Sequence, residues 1–264
     1  MPTVNVNGVS LYYEVDGSGP PLLLIAGLGA NHLSWALAVP LLREHFQCIT
    51  FDNRGSGLSD VPTGPYTIDE MADDAAGLIE ALGVGPVLAV GWSLGGSVLQ
   101  SLLINHGEKV RRAVLLSTLP AYTELQHAWL DAGLTLRRAG VDPLVQGVMG
   151  MPWGTTTRVL ADHAKAFERA KLVAANPLPT SLEGFESQAA AIRVYDSRPR
   201  LSEVTTPTMV LVGAEDILTP VHQSAEIANL IPGAKLVVLP RGGHGMLIEY
   251  LDDTVPAIKT FLSD

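Results

Sequence analysis

Three residues of this chain have the types that acyl transfer requires. Ser93 stands in Gly91-Trp92-Ser93-Leu94-Gly95, Asp216 in Gly213-Ala214-Glu215-Asp216, and His244 in Gly242-Gly243-His244-Gly245. A serine hydroxyl is a weak nucleophile until a base takes its proton. The usual base is a histidine, held in the right tautomer by a carboxylate. The order Ser…Asp…His along the chain is one of the orders in which such groups occur. Glu215 is the rival to Asp216, but adjacent side chains point in different directions, so one of the two can serve. The other histidines, His32, His45, His106, His127, His163 and His222, lie in helical or surface contexts and are expected to be solvated or capping residues.

Each candidate needs an element that brings it to a common edge. The apolar run Val87-Leu88-Ala89-Val90 precedes Gly91, and Gly96-Ser97-Val98-Leu99-Gln100-Ser101-Leu102-Leu103 follows Gly95. The first reads as a short buried strand and the second as the opening of a helix. A serine on so tight a strand-to-helix turn takes a strained backbone, and flanking glycines allow the close approach. The N–H of Leu94 then points to where an oxyanion would form. Asp216 follows the strand-like run Thr208-Met209-Val210-Leu211-Val212, and His244 follows Lys235-Leu236-Val237-Val238-Leu239. Leu22-Leu23-Leu24-Ile25 reads as another buried strand, and the Ala26-Gly27-Leu28-Gly29 turn after it makes the Leu28 N–H the second candidate oxyanion donor.

The remaining pattern alternates strand and helix. Thr3–Val15 alternates polar and apolar residues around Asn7-Gly8, a hairpin signal. Helices are expected over Ser34–His45, Ile68–Leu82, His222–Leu230 and Asp252–Leu262, with further strands at Ile49-Thr50-Phe51 and within Val110–Ser117. From Leu119 to Leu201 no buried strand is legible. Helical patterns such as Ala161–Ala175 are broken there by Pro143, Pro152, Pro177 and Pro179. The expectation is an α/β architecture with a mostly parallel sheet and helices on both faces. Residues 1–118 and 202–264 would form its core, and 119–201 a helical cap, or lid, over the carboxyl ends of the strands, where ligands bind in open α/β sheets.

The chain has 264 residues, 47% of them hydrophobic, enough for one substantial core. Its formal net charge of −10 argues against nucleic acid or an anionic membrane as a partner. No apolar run is long enough to span a bilayer, and Met1–Val6 lacks the basic-then-apolar pattern of a secretory signal, so a cytoplasmic protein is expected. Cys48 is the only cysteine and sits in a strand-like run, which points to a buried, inert thiol. No Cys/His cluster has zinc-site spacing.

With these pieces in order, the chain resembles the α/β-hydrolase family along nearly its whole length. The resemblance rests on Ala26-Gly27-Leu28-Gly29, Asp52-Asn53-Arg54-Gly55-Ser56-Gly57-Leu58-Ser59, Gly91-Trp92-Ser93-Leu94-Gly95-Gly96, Val212-Gly213-Ala214-Glu215-Asp216 and Gly243-His244. It implies an α/β-hydrolase fold with structural roles for Asp52 and Arg54. One departure is Ala26-Gly27, where members commonly have His-Gly. The serine at the elbow argues against the dehalogenase and epoxide hydrolase branches, which use aspartate there. Within the family the chain is similar to small carboxylesterases, 3-oxoadipate enol-lactonases, pimeloyl-ester esterases and carbon–carbon bond hydrolases.

The implied reaction is hydrolysis of a carboxylic ester or lactone through an acyl-enzyme, with no metal or cofactor. A carbon–carbon bond hydrolase and a slow-turnover ligand receptor on the same scaffold are the alternatives. Trp92, together with Trp129, Met149, Met151 and Trp153 of the cap, is expected to shape the pocket for a modest, uncharged, mostly apolar substrate.

Overall fold

A computed structural model describes residues 2–263. Eight strands form one sheet: β1 (Thr3–Val6), β2 (Val9–Asp16), β3 (Pro21–Ile25), β4 (Gln47–Phe51), β5 (Val87–Trp92), β6 (Val110–Leu116), β7 (Thr208–Gly213) and β8 (Lys235–Leu239). Their order across the sheet is β1-β2-β4-β3-β5-β6-β7-β8. β1 and β2 run antiparallel to their neighbours, and every pairing from β4 to β8 is parallel. Asn7 and Gly8 join β1 to β2 with φ of 49° and 79°. Two successive positive φ values define the type I′ hairpin turn that Asn-Gly favours.

The central strands are apolar throughout because both sheet faces are covered. Leu23 and Ile25 of β3 enter a core with Ala89, Leu94, Val98 and the helix α2 (Ile68–Leu82). Leu22 and Leu24 enter the opposite core with Leu88, Val90, Trp35 and the final helix α11 (Leu251–Ser263). The period of two in a strand makes this division automatic. α2 spans the residues its pattern predicts. Thr67 and Glu70 form a reciprocal capping box at its start, and Gly83 closes it with φ 64°.

The predicted helix over Ser34–His45 is not continuous. A short 3-10 turn at His32–Trp35 is followed by a separate turn of helix, α1 (Val39–Leu42). Pro40 explains the break: it lacks an N–H and sits in the first turn of α1, where none is needed.

Between β6 and β7 the chain forms α4 (Glu124–Arg138), α5 (Pro143–Gly154), α6 (Thr157–Leu160), α7 (His163–Ala174) and α8 (Leu182–Val194). α4 packs on α8 and α5, and α5 on α7. Pro143 opens α5 as expected, but Pro152 does not end it. It lies in the last turn, where only one backbone bond is lost. The predicted Ala161–Ala175 helix forms as α7, starting just after Asp162, whose side chain caps it by accepting the Lys165 N–H. The helices α3 (Leu94–Asn105), α9 (Val221–Leu230) and α10 (Met246–Glu249) complete the fold. Among the described residues no helix is long and apolar enough to cross a membrane.

Candidate active site

Ser93 occupies the turn from β5 to α3 with φ 57° and ψ −120°. Such a backbone is strained for a residue with a Cβ and is held only by its surroundings. The Ser93 N–H donates to Leu116 O of β6 at 3.0 Å, and the Thr118 hydroxyl donates to Ser93 O at 2.8 Å. The flanking glycines are required by space. A Cβ on Gly95 would lie 2.1 Å from Ile25 O, and one on Gly91 would lie 2.2 Å from Gly95 O.

His244 Nε2 lies 2.9 Å from Ser93 Oγ. Its other ring nitrogen, Nδ1, faces Asp216 Oδ2 at 3.2 Å and Thr219 Oγ1 at 3.1 Å. Acceptors on that side place the proton on Nδ1 and leave Nε2 free to accept from Ser93. Asp216, rather than the exposed Glu215, is the buried member of the acidic pair. It is oriented by its own turn: Oδ1 accepts the N–H groups of Leu218 (3.0 Å) and Thr219 (2.8 Å), and Oδ2 accepts the Thr219 hydroxyl (2.7 Å). Burial pushes the Asp216 carboxyl up. The His244 charge and hydrogen bond, joined by the donors of Thr219, outweigh that and hold it below the usual carboxylate range.

The loop after β3 runs beside the serine. A Cβ on Gly27 would stand 3.3 Å from Ser93 Cβ and 3.7 Å from Ser93 Oγ. The N–H groups of Leu28 and Leu94 have no hydrogen-bond partner among the described residues. A cavity with about 340 Å³ of empty space, part of it open to solvent, is lined by Leu28, Ser93 and Leu94. Its other walls are Tyr122 just before α4, Gln126, Trp129 and Leu130 in the first half of α4, Ile192 of α8, and Leu218 and Thr219. No charged side chain is among them. Gln126 Nε2 is turned away toward Leu218 O at 2.6 Å, and Tyr122 OH meets Ser97 Oγ at 3.3 Å.

A family model described as "alpha/beta hydrolase fold" matches residues 20–250. The chain belongs to the alpha/beta hydrolase family. It is 28% identical over 239 residues to 3-oxoadipate enol-lactonase 2 of Acinetobacter baylyi, covering 90% of this chain and 87% of that protein. The structure of an enol-lactonase from Burkholderia xenovorans LB400 is similar to it at a TM-score of 0.87 and 29% identity, covering all of both chains. A thermophilic esterase from Thermogutta terrifontis is similar at a TM-score of 0.86 and 27% identity, covering 100% of this chain and 98% of that one.

This alpha/beta hydrolase brings Trp129 to the cavity, but not the other four residues expected there. Trp92 ends β5 on the same face as Leu88 and Val90, so its ring turns away from α3 into the opposite core. There it stacks edge-on with Trp35 at 6.5 Å, and its indole N–H donates to His244 O at 3.1 Å. Met149, Met151 and Trp153 belong to α5, whose end is tied to the His244 loop. The Gly245 N–H donates to Gly154 O at 2.8 Å, and the Thr156 N–H and hydroxyl donate to the buried Glu249 carboxylate, which also pairs with Arg169 at 3.0 Å. α5 therefore lies against α7 on the His244 side, and Met149 is 55% exposed.

Other positions of this hydrolase also differ from their sequence reading. His32 is buried and takes Asp52 Oδ1 with both its N–H (2.6 Å) and its Nδ1 (2.9 Å). Thr219 carried no role in the sequence, although its place three residues after Asp216 in a turn ending at Pro220 was a usable signal. Asp52 is fully buried and also accepts the Leu58 N–H at 2.8 Å. Among the described residues no cluster of His, Cys, Asp and Glu could hold a metal ion.

Proposed function

We propose that this protein is a serine hydrolase that cleaves a small, mostly apolar carboxylic ester or lactone through an acyl-enzyme. The observation that carries the reading is the 2.9 Å approach of His244 Nε2 to Ser93 Oγ, with Asp216 behind the imidazole. In this mechanism His244 takes the Ser93 proton as the oxygen attacks the carbonyl carbon. The tetrahedral oxyanion is received by the N–H groups of Leu28 and Leu94, which protein acceptors leave free. The C–O bond to the leaving group then breaks, and His244 returns the proton to the departing oxygen. A water deprotonated by His244 attacks the acyl-enzyme, and Ser93 is restored. Asp216 stays ionised throughout and steadies the imidazolium.

Residues 119–201 act as the lid of this site. α4 and α8 supply the wall opposite the elbow, and the absence of charge in the lining suits an uncharged acyl group. The enol-lactonase and esterase relatives agree with acyl transfer to water as the reaction class.

Hydrolysis of p-nitrophenyl acetate, butyrate and octanoate by wild type and by Ser93→Ala tests the reading. The expected result is turnover favouring the shorter acyl chains, and a loss of about 10⁴-fold or more in Ser93→Ala. Turnover that survives the substitution would remove Ser93 as nucleophile.

A further inference from the structure

The Leu28 N–H belongs to a turn that is held from the cap. The Ala30 N–H donates to Gly27 O at 3.2 Å, which closes a β-turn with Leu28 and Gly29 at its centre. Gly29 has a φ of 63° and Leu28 has no positive φ, which makes the turn type II. The Gly27–Leu28 peptide is trans, so its two polar groups point in opposite directions. Its carbonyl faces inward to Ala30, and the Leu28 N–H therefore faces out of the turn. Leu28 lines the cavity beside Ser93 and Leu94.

Glycine at the third position does not by itself select this turn. It accepts equally the negative φ of a type I turn, in which the Leu28–Gly29 peptide is turned over. The selection comes from Gln188 of α8. Its Oε1 accepts the Gly29 N–H at 3.0 Å, a bond that the turned-over peptide could not make. Its Nε2 donates to Arg54 O at 2.8 Å. One partner is a donor and the other an acceptor, so the orientation of the amide is fixed. Gln188 is fully buried, and burial of an amide is costly unless both ends are paired, as they are here. The anchor is firm as well. The Arg54 side chain is locked to Asp74 of α2, and α8 meets the same loop so closely that a Cβ on Gly184 would lie 2.0 Å from Gly55 O. From the other side, the Thr180 hydroxyl donates to Gly29 O at 2.9 Å, and Asn31 Nδ2 donates to Leu178 O at 2.9 Å. Cap residues 178–188 thus hold this loop at three points, two of them on Gly29, next to Leu28.

We propose that Gln188 is a positioning residue for the oxyanion hole. It holds the Leu28–Gly29 turn in the form that aims the Leu28 N–H at the reacting carbonyl oxygen. The cap then contributes to transition-state stabilisation as well as to the pocket wall. The proposal rests on the serine hydrolase reading. Gln188 does not line the cavity, so its loss should act through Leu28 rather than through substrate contact.

The test measures hydrolysis of p-nitrophenyl butyrate, and inhibition by butyl trifluoromethyl ketone and butyl methyl ketone, in wild type and variants. The Ser93 oxygen adds to the carbonyl carbon of the trifluoromethyl ketone, the Ser93 proton passes to His244, and the ketone oxygen becomes a tetrahedral oxyanion. The methyl ketone stays unadded and reads only the pocket. Gln188→Met keeps the length of the side chain and loses both hydrogen bonds. Its kcat should fall about 10- to 100-fold with KM little changed, short of the loss when a donor is removed outright. The trifluoromethyl ketone should weaken by a similar factor and the methyl ketone should not. Thr180→Val removes the second tie on Gly29 and should show the same pattern at about 3- to 10-fold, with Thr180→Ser recovering most of it. That pair stands in for Gln188→Met if the methionine variant does not fold. In Gln188→Met or its stand-in, an unchanged kcat, or equal weakening of both ketones, overturns the proposal, because the second pattern is a general loosening of the pocket. Failure of the hydrolase reading looks different: wild type itself would turn over no ester and would bind both ketones alike, and the proposal would fall with it.

Discussion

Thr219 Oγ1 lies 3.1 Å from His244 Nδ1, as near to the imidazole as Asp216 Oδ2 at 3.2 Å. The hydroxyl donates to the carboxylate at 2.7 Å and presents its lone pair to the ring N–H. The imidazole is therefore held by two acceptors that are themselves hydrogen-bonded together. Thr219→Val keeps the shape and removes the hydroxyl, and Thr219→Ser restores it. The valine variant should lose about 10- to 100-fold in kcat, the scale of one hydrogen bond to a charged group, with a displaced acid limb in the pH–rate profile. The serine variant should recover most of both. A valine variant with an unchanged kcat and profile would show that the carboxylate alone positions His244.

Gly95 is the tightest point of the elbow, with Ile25 O only 2.1 Å from where a Cβ would stand. Gly95→Ala must move α3 away from β3, and with it Ser93 and the Leu94 N–H. The expected outcome is a loss of activity well beyond any loss of stability, read as kcat/KM against Tm. Gly133→Ala is the control, because nothing lies within 4 Å of a Cβ there and Gly133 is inside a helix. That change should stabilise by about 0.5–1 kcal/mol.

Arg54 and Asp74 form a buried bidentate pair, with Nε–Oδ2 at 2.6 Å and Nη2–Oδ1 at 2.8 Å. The hydrogen bonds that Arg54 donates to the Asp74 carboxylate raise the guanidinium above its ordinary value. The pair ties the Asp52–Ser59 loop to α2. Asp74→Ala leaves the buried Arg54 charge with only the longer contact to the half-exposed Glu70 at 3.3 Å, so it should cost about 3 kcal/mol in urea unfolding. A loss under about 1 kcal/mol would place the pair among weak surface bridges.

Cys48 is buried in β4, and that burial pushes its thiol up to about 12, with nearby Asp16 adding to the effect. The nucleophilic thiolate is thus scarce throughout the neutral range. The folded protein should fail to react with a disulfide reagent at pH 8, and one thiol per chain should react after denaturation. Rapid reaction of the folded chain would contradict the burial of β4.

The parts of this fold that were legible from sequence are those decided locally. The run Val87–Val90 followed by glycines at 91 and 95 signals a strand, a tight turn and a helix before any tertiary contact is known. Asn7-Gly8 acts likewise within two residues. What was not legible depends on how distant helices meet. Met149, Met151 and Trp153 carry suitable side chains, but the end of α5 is tied at Gly154–Thr156 to Gly245 and Glu249, about ninety residues onward. Tyr122, Leu130 and Ile192 took the cavity instead because α4 and α8 cover the elbow. His32 reads as a surface residue until Asp52 is seen beneath it.

Covalent trapping tests the central claim most directly. A fluorophosphonate probe should add once to the wild-type chain, on the peptide containing Ser93, and mass spectrometry reads the site. His244→Ala should label far more slowly, and Ser93→Ala should not label at all. An adduct that persists in Ser93→Ala, or that maps to another residue, would contradict the assignment of Ser93 as the nucleophile activated by His244.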